Sequence, residues 1–179
     1  SPSGGVLATP DLPLAAAWAL GLWAASRDRW ALAGVACGLA MLSKYTGVLL
    51  LPALIIGTGA WRRPRAWGAA LLAGLIYAPN AVWNVQHDAI SWRFQLEHVA
   101  AAADRLGFIG AQAGLAGPVL FIAGTLWSVV AWRSDDRIER LLWWGSAPVL
   151  LIAVFVGGEA NWAAPAWLGA VVGMCRRVG

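Results

Sequence analysis

Apolar residues along this chain fall into seven runs, at roughly 11 to 26, 30 to 43, 46 to 61, 66 to 83, 108 to 132, 141 to 156 and 163 to 175. Runs this long and this poor in charge are read as helices belonging to a bilayer. Several, the second and last most clearly, fall short of the ~20 residues that a straight helix needs to cross ~30 Å of hydrocarbon, so some are expected to stop short. The expected fold is all-α, a polytopic transmembrane bundle of about seven helices forming one domain over residues 1–179. The polar interval 84–107 is expected to be an outer loop carrying a short interfacial helix. There Trp92, Leu96, Val99 and Ala103 recur at helical spacing while Arg93, Glu97 and Asp104 take other faces.

The polar breaks alternate in charge. Arg27/Arg29, Arg62/Arg63/Arg65, Arg133/Arg137/Arg140 and Arg176/Arg177 follow every second run. Basic residues near membrane-segment ends stay on the cytoplasmic side, so these clusters mark cytoplasmic boundaries and the other breaks face outward. The outer breaks hold Lys44, Arg93 and Arg105 as cations, with Asp11, Asp88, Glu97, Asp104, Glu159 and both histidines. Groups suited to chemistry are therefore expected on the side opposite the arginines.

Composition agrees: 60% hydrophobic and 12% charged residues with a mean hydropathy of +0.65 are too apolar for an ordinary soluble domain, in which about 25% of residues are charged. The net charge of +4 does not point to nucleic acid, because its cations are dispersed at helix ends rather than gathered on one face. Cys37 and Cys175 lack the spacing of a zinc site or disulfide framework and read as packing residues. Thirteen tryptophans, Trp30, Trp61, Trp83, Trp132 and Trp162 among those at run ends, suit aromatic belts at the two interfaces. Pro52, Pro79, Pro118, Pro148 and Pro165 are expected to kink helices, and the pairs Gly34/Gly38, Gly110/Gly114 and Gly169/Gly173 to allow close helix packing. The usage of Ala, Gly, Arg and Trp suits a multi-pass protein of a bacterial inner membrane. The abrupt ends, Ser1 to Gly5 and Arg176 to Gly179, read as cuts through a longer protein.

Lys44 interrupts apolar sequence on both sides, and an ionisable group at such depth is by default a functional one; the plainer alternative is a lysine reaching to headgroups. An outward-facing lysine suits a lipid phosphate. Asp11 opens the first run and also reads as a plain helix N-cap, while Glu159 and Asn161 occupy a short outer turn whose plainer reading is a reversal of the chain. His87 and Asp88, with Glu97 and His98, supply donors enough for a divalent metal but not at diagnostic spacing, so hydrogen bonding to a polar substrate is the better reading. No nucleotide-binding loop or nucleophile elbow is present in the sequence.

These residues carry a resemblance. Thr9-Pro10-Asp11 before an apolar helix, GVACGLAMLSKY from Gly34 to Tyr45, PNAVWNVQH from Pro79 to His87 followed by Phe94-Gln95, and EANWAAPA from Glu159 to Ala166 resemble, in order, motifs of glycosyltransferase family 39. This group contains the bacterial relatives of protein mannosyltransferases and of the lipid A aminoarabinose transferase. Ala163 stands where its last motif has proline. The resemblance implies a GT-C membrane fold and inverting transfer of a sugar from a polyprenyl-phosphate donor to a lipid, glycan or protein acceptor on the outer, periplasmic face. It implies Lys44 as phosphate partner, Asp11 as an acidic member of the site, and Tyr45, Asn84, His87, Asp88, Glu159 and Asn161 as substrate-binding residues. It also implies that a first outer loop bearing the principal catalytic carboxylate precedes Asp11, so this piece by itself is expected to be inactive. Two other classes stay open: a transporter built on broken helices, which should show a matching break in a second half, and a lipid-binding subunit without catalysis, which should tolerate loss of Asp11 and Lys44.

Overall fold

The computed structural model describes residues 11–101, 104–156 and 160–178. Among them are α1 (Asp11–Ser26), α2 (Trp30–Ser43), α3 (Leu50–Gly57), α4 (Pro64–Gln86), α5 (Ile90–Ala101), α6 (Arg105–Ala116), α7 (Pro118–Ala131), α8 (Arg137–Trp144), α9 (Ala147–Val156) and α10 (Ala164–Val178), with 3-10 turns at Tyr45–Leu49, Ala60–Arg62 and Ala160–Ala163. No strand occurs among the described residues, so the all-helical expectation holds.

The seven-helix bundle is met only in part. The first two runs are α1 and α2, but the third is a 3-10 turn leading into α3, the fifth is split into α6 and α7, and the sixth is divided between α8 and α9. Among the described residues two helical stretches are long and apolar enough to cross a membrane, Pro64–Gln86 (α4) and Arg137–Val156 (α8 with α9), or three if the bent α6–α7 pair counts as one span. The 110° bend of that pair has a local cause. Gly117 stands at φ +80°, a conformation open to glycine, and Pro118 then starts α7 without needing a backbone N–H partner. The same preference corrects the expectation of proline kinks. Pro52, Pro118, Pro148 and Pro165 lie in the first turns of their helices, and Pro79 alone of the five is in a helix interior.

Packing centres on α1 and α2. Leu14, Trp18, Leu50, Leu54 and Leu141 are fully buried, and the Trp18 indole donates to the Gly145 carbonyl at 3.1 Å, tying α1 to the α8–α9 junction. α2 lies between α1 and α4. A methyl group on Gly34 would stand 2.7 Å from the Ala69 carbonyl oxygen, and one on Gly38 2.7 Å from Ile76 Cβ, so these glycines bring α2 and α4 together. Gly169 and Gly173 serve similarly against Leu142, Ser146 and Trp127, whereas Gly110 and Gly114 face open space. Cys37 is buried as expected, but Cys175 is exposed.

Charge divides the molecule into two ends. In the α1–α2 loop Asp28, at φ +60°, accepts from the Trp30 indole at 2.7 Å and pairs with Arg63 at 3.1 Å, Arg65 at 2.9 Å and Arg137 at 3.9 Å. Arg176 pairs with Asp136 at 3.4 Å and Arg177 with Glu139. These bridges draw the loops carrying all four arginine clusters to one end. Asp11 lies at the other end of α1, about 24 Å away at 1.5 Å per residue. Trp61, Trp83 and Trp132 are exposed near helix ends as interfacial belts require, but Trp30 and Trp162 are buried, which corrects the expectation for those two. Trp30 turns inward, its indole N–H taken by Asp28.

Candidate functional site

At the end opposite the arginines, three residues far apart in sequence meet. Lys44 Nζ lies 2.8 Å from Asp11 Oδ1, and Asn161 Nδ2 donates to Asp11 Oδ2 at 3.0 Å. Asp11 is the first residue of α1, Lys44 joins α2 to its following turn, and Asn161 sits in the turn before α10. About a fifth of the Lys44 and Asp11 side chains remains exposed, so the pair is reachable from outside.

Local backbone chemistry explains how a lysine comes to stand here. α2 ends at Ser43, and Lys44 takes an extended conformation at φ −159°, ψ 146°. Its N–H still closes on the Ala40 carbonyl at 3.0 Å, while its own carbonyl accepts from Gly47 at 2.9 Å to start the 3-10 turn. Gly47 permits this return, since any β-carbon there would overlap the Ala40 backbone. The break therefore projects Lys44 towards α1 while the apolar chain continues into α3.

A cavity of about 190 Å³ adjoins the cluster, lined among others by Tyr45, Thr46, Gln95, Ile152 and Trp162. Its wall is mostly apolar, and two buried oxygens, Thr46 Oγ1 in a lining residue and Asn161 Oδ1 in the residue before Trp162, have no hydrogen-bond partner among the described residues. Buried polar atoms without partners cost about 1–3 kcal/mol. Tyr45 also lines a neighbouring cavity of about 240 Å³ with Met41, Val48, Tyr77 and Trp92. Thr46 and Trp162 carry no sequence motif of their own that marks them as site residues. Their one signal is adjacency to Tyr45 and Asn161.

The other expected site residues lie elsewhere. His87 and Asp88 line a separate outward crevice of about 420 Å³ with Ile90, Arg93, Phe94 and Glu97. On α5, Trp92 and Gln95 face the Tyr45 cavities, whereas Arg93, Phe94 and Glu97 face this crevice. The His87 ring stacks on Trp83 at 4.3 Å and donates through Nδ1 to the Trp83 carbonyl at 2.7 Å. Asn84 is fully buried. Its amide donates to Asn80 at 3.1 Å, its Oδ1 accepts from the Ser91 N–H at 3.2 Å, and its carbonyl accepts from Ala89 at 2.7 Å, so it locks the α4–α5 corner. Glu159, Thr9 and Pro10 lie outside the described residues, as does the His98 side chain. Among the described residues no group of three His, Cys, Asp or Glu side chains is placed to hold a metal ion.

Comparison with known proteins adds to this geometry. Residues 3–83 match the family of dolichyl-phosphate-mannose-protein mannosyltransferases. Over 157 residues the chain is 34% identical to the lipid A galacturonosyltransferase RgtD of Rhizobium johnstonii (strain DSM 114642 / LMG 32736 / 3841), covering 78% of this chain and 33% of that protein. Both matches support a fragment of a GT-C glycosyltransferase. The chain spans about a third of the length of the curated relative it matches, and no solved structure matches it. The mannosyltransferase-like segment runs from the start of α1 through most of α4 and holds Asp11, Lys44 and Tyr45, while Asn161 reaches the cluster from beyond it.

An ammonium group held this way can do specific work. Lys44 has three donors, of which one is spent on Asp11, and the other two have no partner among the described residues. Both Asp11 oxygens accept hydrogen bonds, so its carboxylate fixes the direction of Lys44 rather than standing free.

Proposed function

We propose that this chain is the part of a membrane glycosyltransferase that binds the phosphate of a polyprenyl-phosphate sugar donor at the outer face of a bacterial inner membrane. The observation that carries the reading is the convergence of Asp11, Lys44 and Asn161, from three segments, at the end opposite the arginines. Lys44 binds the donor phosphate through the N–H groups it does not give to Asp11. During transfer an acceptor oxygen attacks the anomeric carbon, the bond from that carbon to the phosphate oxygen breaks, and the electron pair leaves with the lipid phosphate. Negative charge grows on that phosphate, which is where a fixed cation lowers the barrier. Asp11 positions Lys44, Asn161 positions Asp11, and the acceptor proton passes to a carboxylate acting as general base. Tyr45, Thr46 and Trp162 line the adjoining cavity, and His87 and Asp88 bind acceptor in the outer crevice.

The relative's name supplies the first substrates to assay, a galacturonosyl donor with lipid A as acceptor, and the family's name supplies a mannosyl donor as the second. Membranes containing the full-length protein are given radiolabelled polyprenyl-phosphate sugars. Wild type is expected to transfer one of them, and Lys44→Ala and Asp11→Asn to lower the rate by about a hundredfold or more at equal expression. Full activity in both variants would remove the assignment, and donor that stays unconsumed by wild type would favour a binding subunit without catalysis.

A further inference from the structure

Ten arginines gather at the end opposite Lys44, in loops whose acids are Asp28, Asp135, Asp136 and Glu139. Among the described residues, ion pairs account for only some of them. Asp28 takes Arg63, Arg65 and Arg137, Asp136 takes Arg176, and Glu139 takes Arg177. Arg29, Arg62 and Arg133 are arranged differently, each with its guanidinium over an indole ring. Arg29 lies 5.2 Å from the centre of Trp23, Arg62 4.1 Å from Trp61 and Arg133 4.8 Å from Trp132. All six residues are exposed, and the pairs belong to three separate places: the last turn of α1 with the α1–α2 loop, the 3-10 turn before α4, and the residues that follow α7. Trp67, also exposed, donates to the Trp61 carbonyl at 2.9 Å and broadens the second pair.

A sidedness signal requires positive charge at this end but no aromatic ring beneath it. Stacking holds the guanidinium plane still, leaves its N–H edges free for the oxygens of a phosphodiester, and keeps the ring at the depth where a headgroup meets hydrocarbon. We propose that the three arginine–tryptophan pairs bind the headgroups of anionic phospholipids of the phosphatidylglycerol type. Charge complementarity selects the anionic headgroup. The exposed rings select a lipid over a soluble phosphate, which would leave them in water. This reading is independent of the sugar chemistry at the opposite end.

The test measures retention of labelled phosphatidylglycerol against phosphatidylcholine by the purified full-length protein, with melting midpoints taken in phosphatidylcholine as a check on folding. Wild type is expected to prefer phosphatidylglycerol, and the triple variant R29Q/R62Q/R133Q to lose about tenfold of that preference. The triple R29K/R62K/R133K keeps the charge without the planar fork and is expected to recover only part of it. W61L/W132L, which keeps every charge, is expected to lose preference as well, and it decides the matter if the glutamine triple fails to fold. Unchanged preference in the glutamine or tryptophan variants would overturn the proposal. So would full binding by the lysine triple, which would mean diffuse attraction, or equal competition by water-soluble glycerophosphoglycerol, which would mean a soluble phosphate site.

Discussion

Asn161 shows at the residue scale how a turn can contribute to chemistry. Its amide nitrogen is committed to Asp11, and its buried oxygen has no partner among the described residues. Replacing it by alanine removes a hydrogen bond to a charged group, worth roughly 1.5–3 kcal/mol, and about a tenfold fall in transfer by the full-length protein is expected. Asn161→Asp is expected to be worse at neutral pH, because a second carboxylate would stand against Asp11. Like charges raise carboxyl pKa values, so activity of the aspartate variant should recover as the pH falls, whereas that of the alanine variant should not. A pH–rate profile of the two variants separates this account from simple loss of packing. Asn84 is the contrary case. It lies in an Asn-containing motif much as Asn161 does, yet its hydrogen bonds are spent on the α4–α5 corner, and burial of that corner is visible only in three dimensions.

At the scale of elements, the break after α2 decides where the cation stands. Gly47→Ala would drive a methyl into the Ala40 backbone, and the 3-10 turn could keep its place only by moving off α2. A lower melting midpoint together with loss of transfer is expected. Gly110→Ala meets nothing within 4 Å and replaces glycine inside a helix, a change that ordinarily stabilises by up to about 1 kcal/mol; its midpoint should stay level or rise. Melting of the two purified full-length variants tests this contrast. Periodicity and spacing could show that both glycines lie in apolar runs. They could not show which glycine has a neighbour, because that depends on which helix lies alongside.

Across the whole molecule, Asp28 joins three of the loops that bear arginines. The Trp30 hydrogen bond first, then the guanidinium groups of Arg65, Arg63 and Arg137, hold its carboxyl below the ordinary value of 3.8. A carboxyl depressed in the folded state stabilises at pH above its unfolded pKa, and that contribution is lost as pH falls through the folded value. Asp28→Asn should therefore melt below wild type at pH 7, with the gap closing only below about pH 4; a series of melting curves over pH checks it. The alternation of arginine-rich and arginine-poor breaks was enough by itself to indicate an all-helical membrane chain with two unlike ends, because charge near a membrane segment is constrained locally by the cost of crossing. Motif order along the chain was likewise enough to bring out Asp11, Lys44 and Asn161. Only the tertiary structure decided that these three touch, that His87 and Asp88 open into a different crevice, and that the apolar runs form few helices of full crossing length. The physical reason is that a run of apolar residues states an affinity for lipid or core without stating a partner. Contacts across 150 residues, and bends such as that at Gly117, arise from which faces pack together, and packing is a property of the assembled helices.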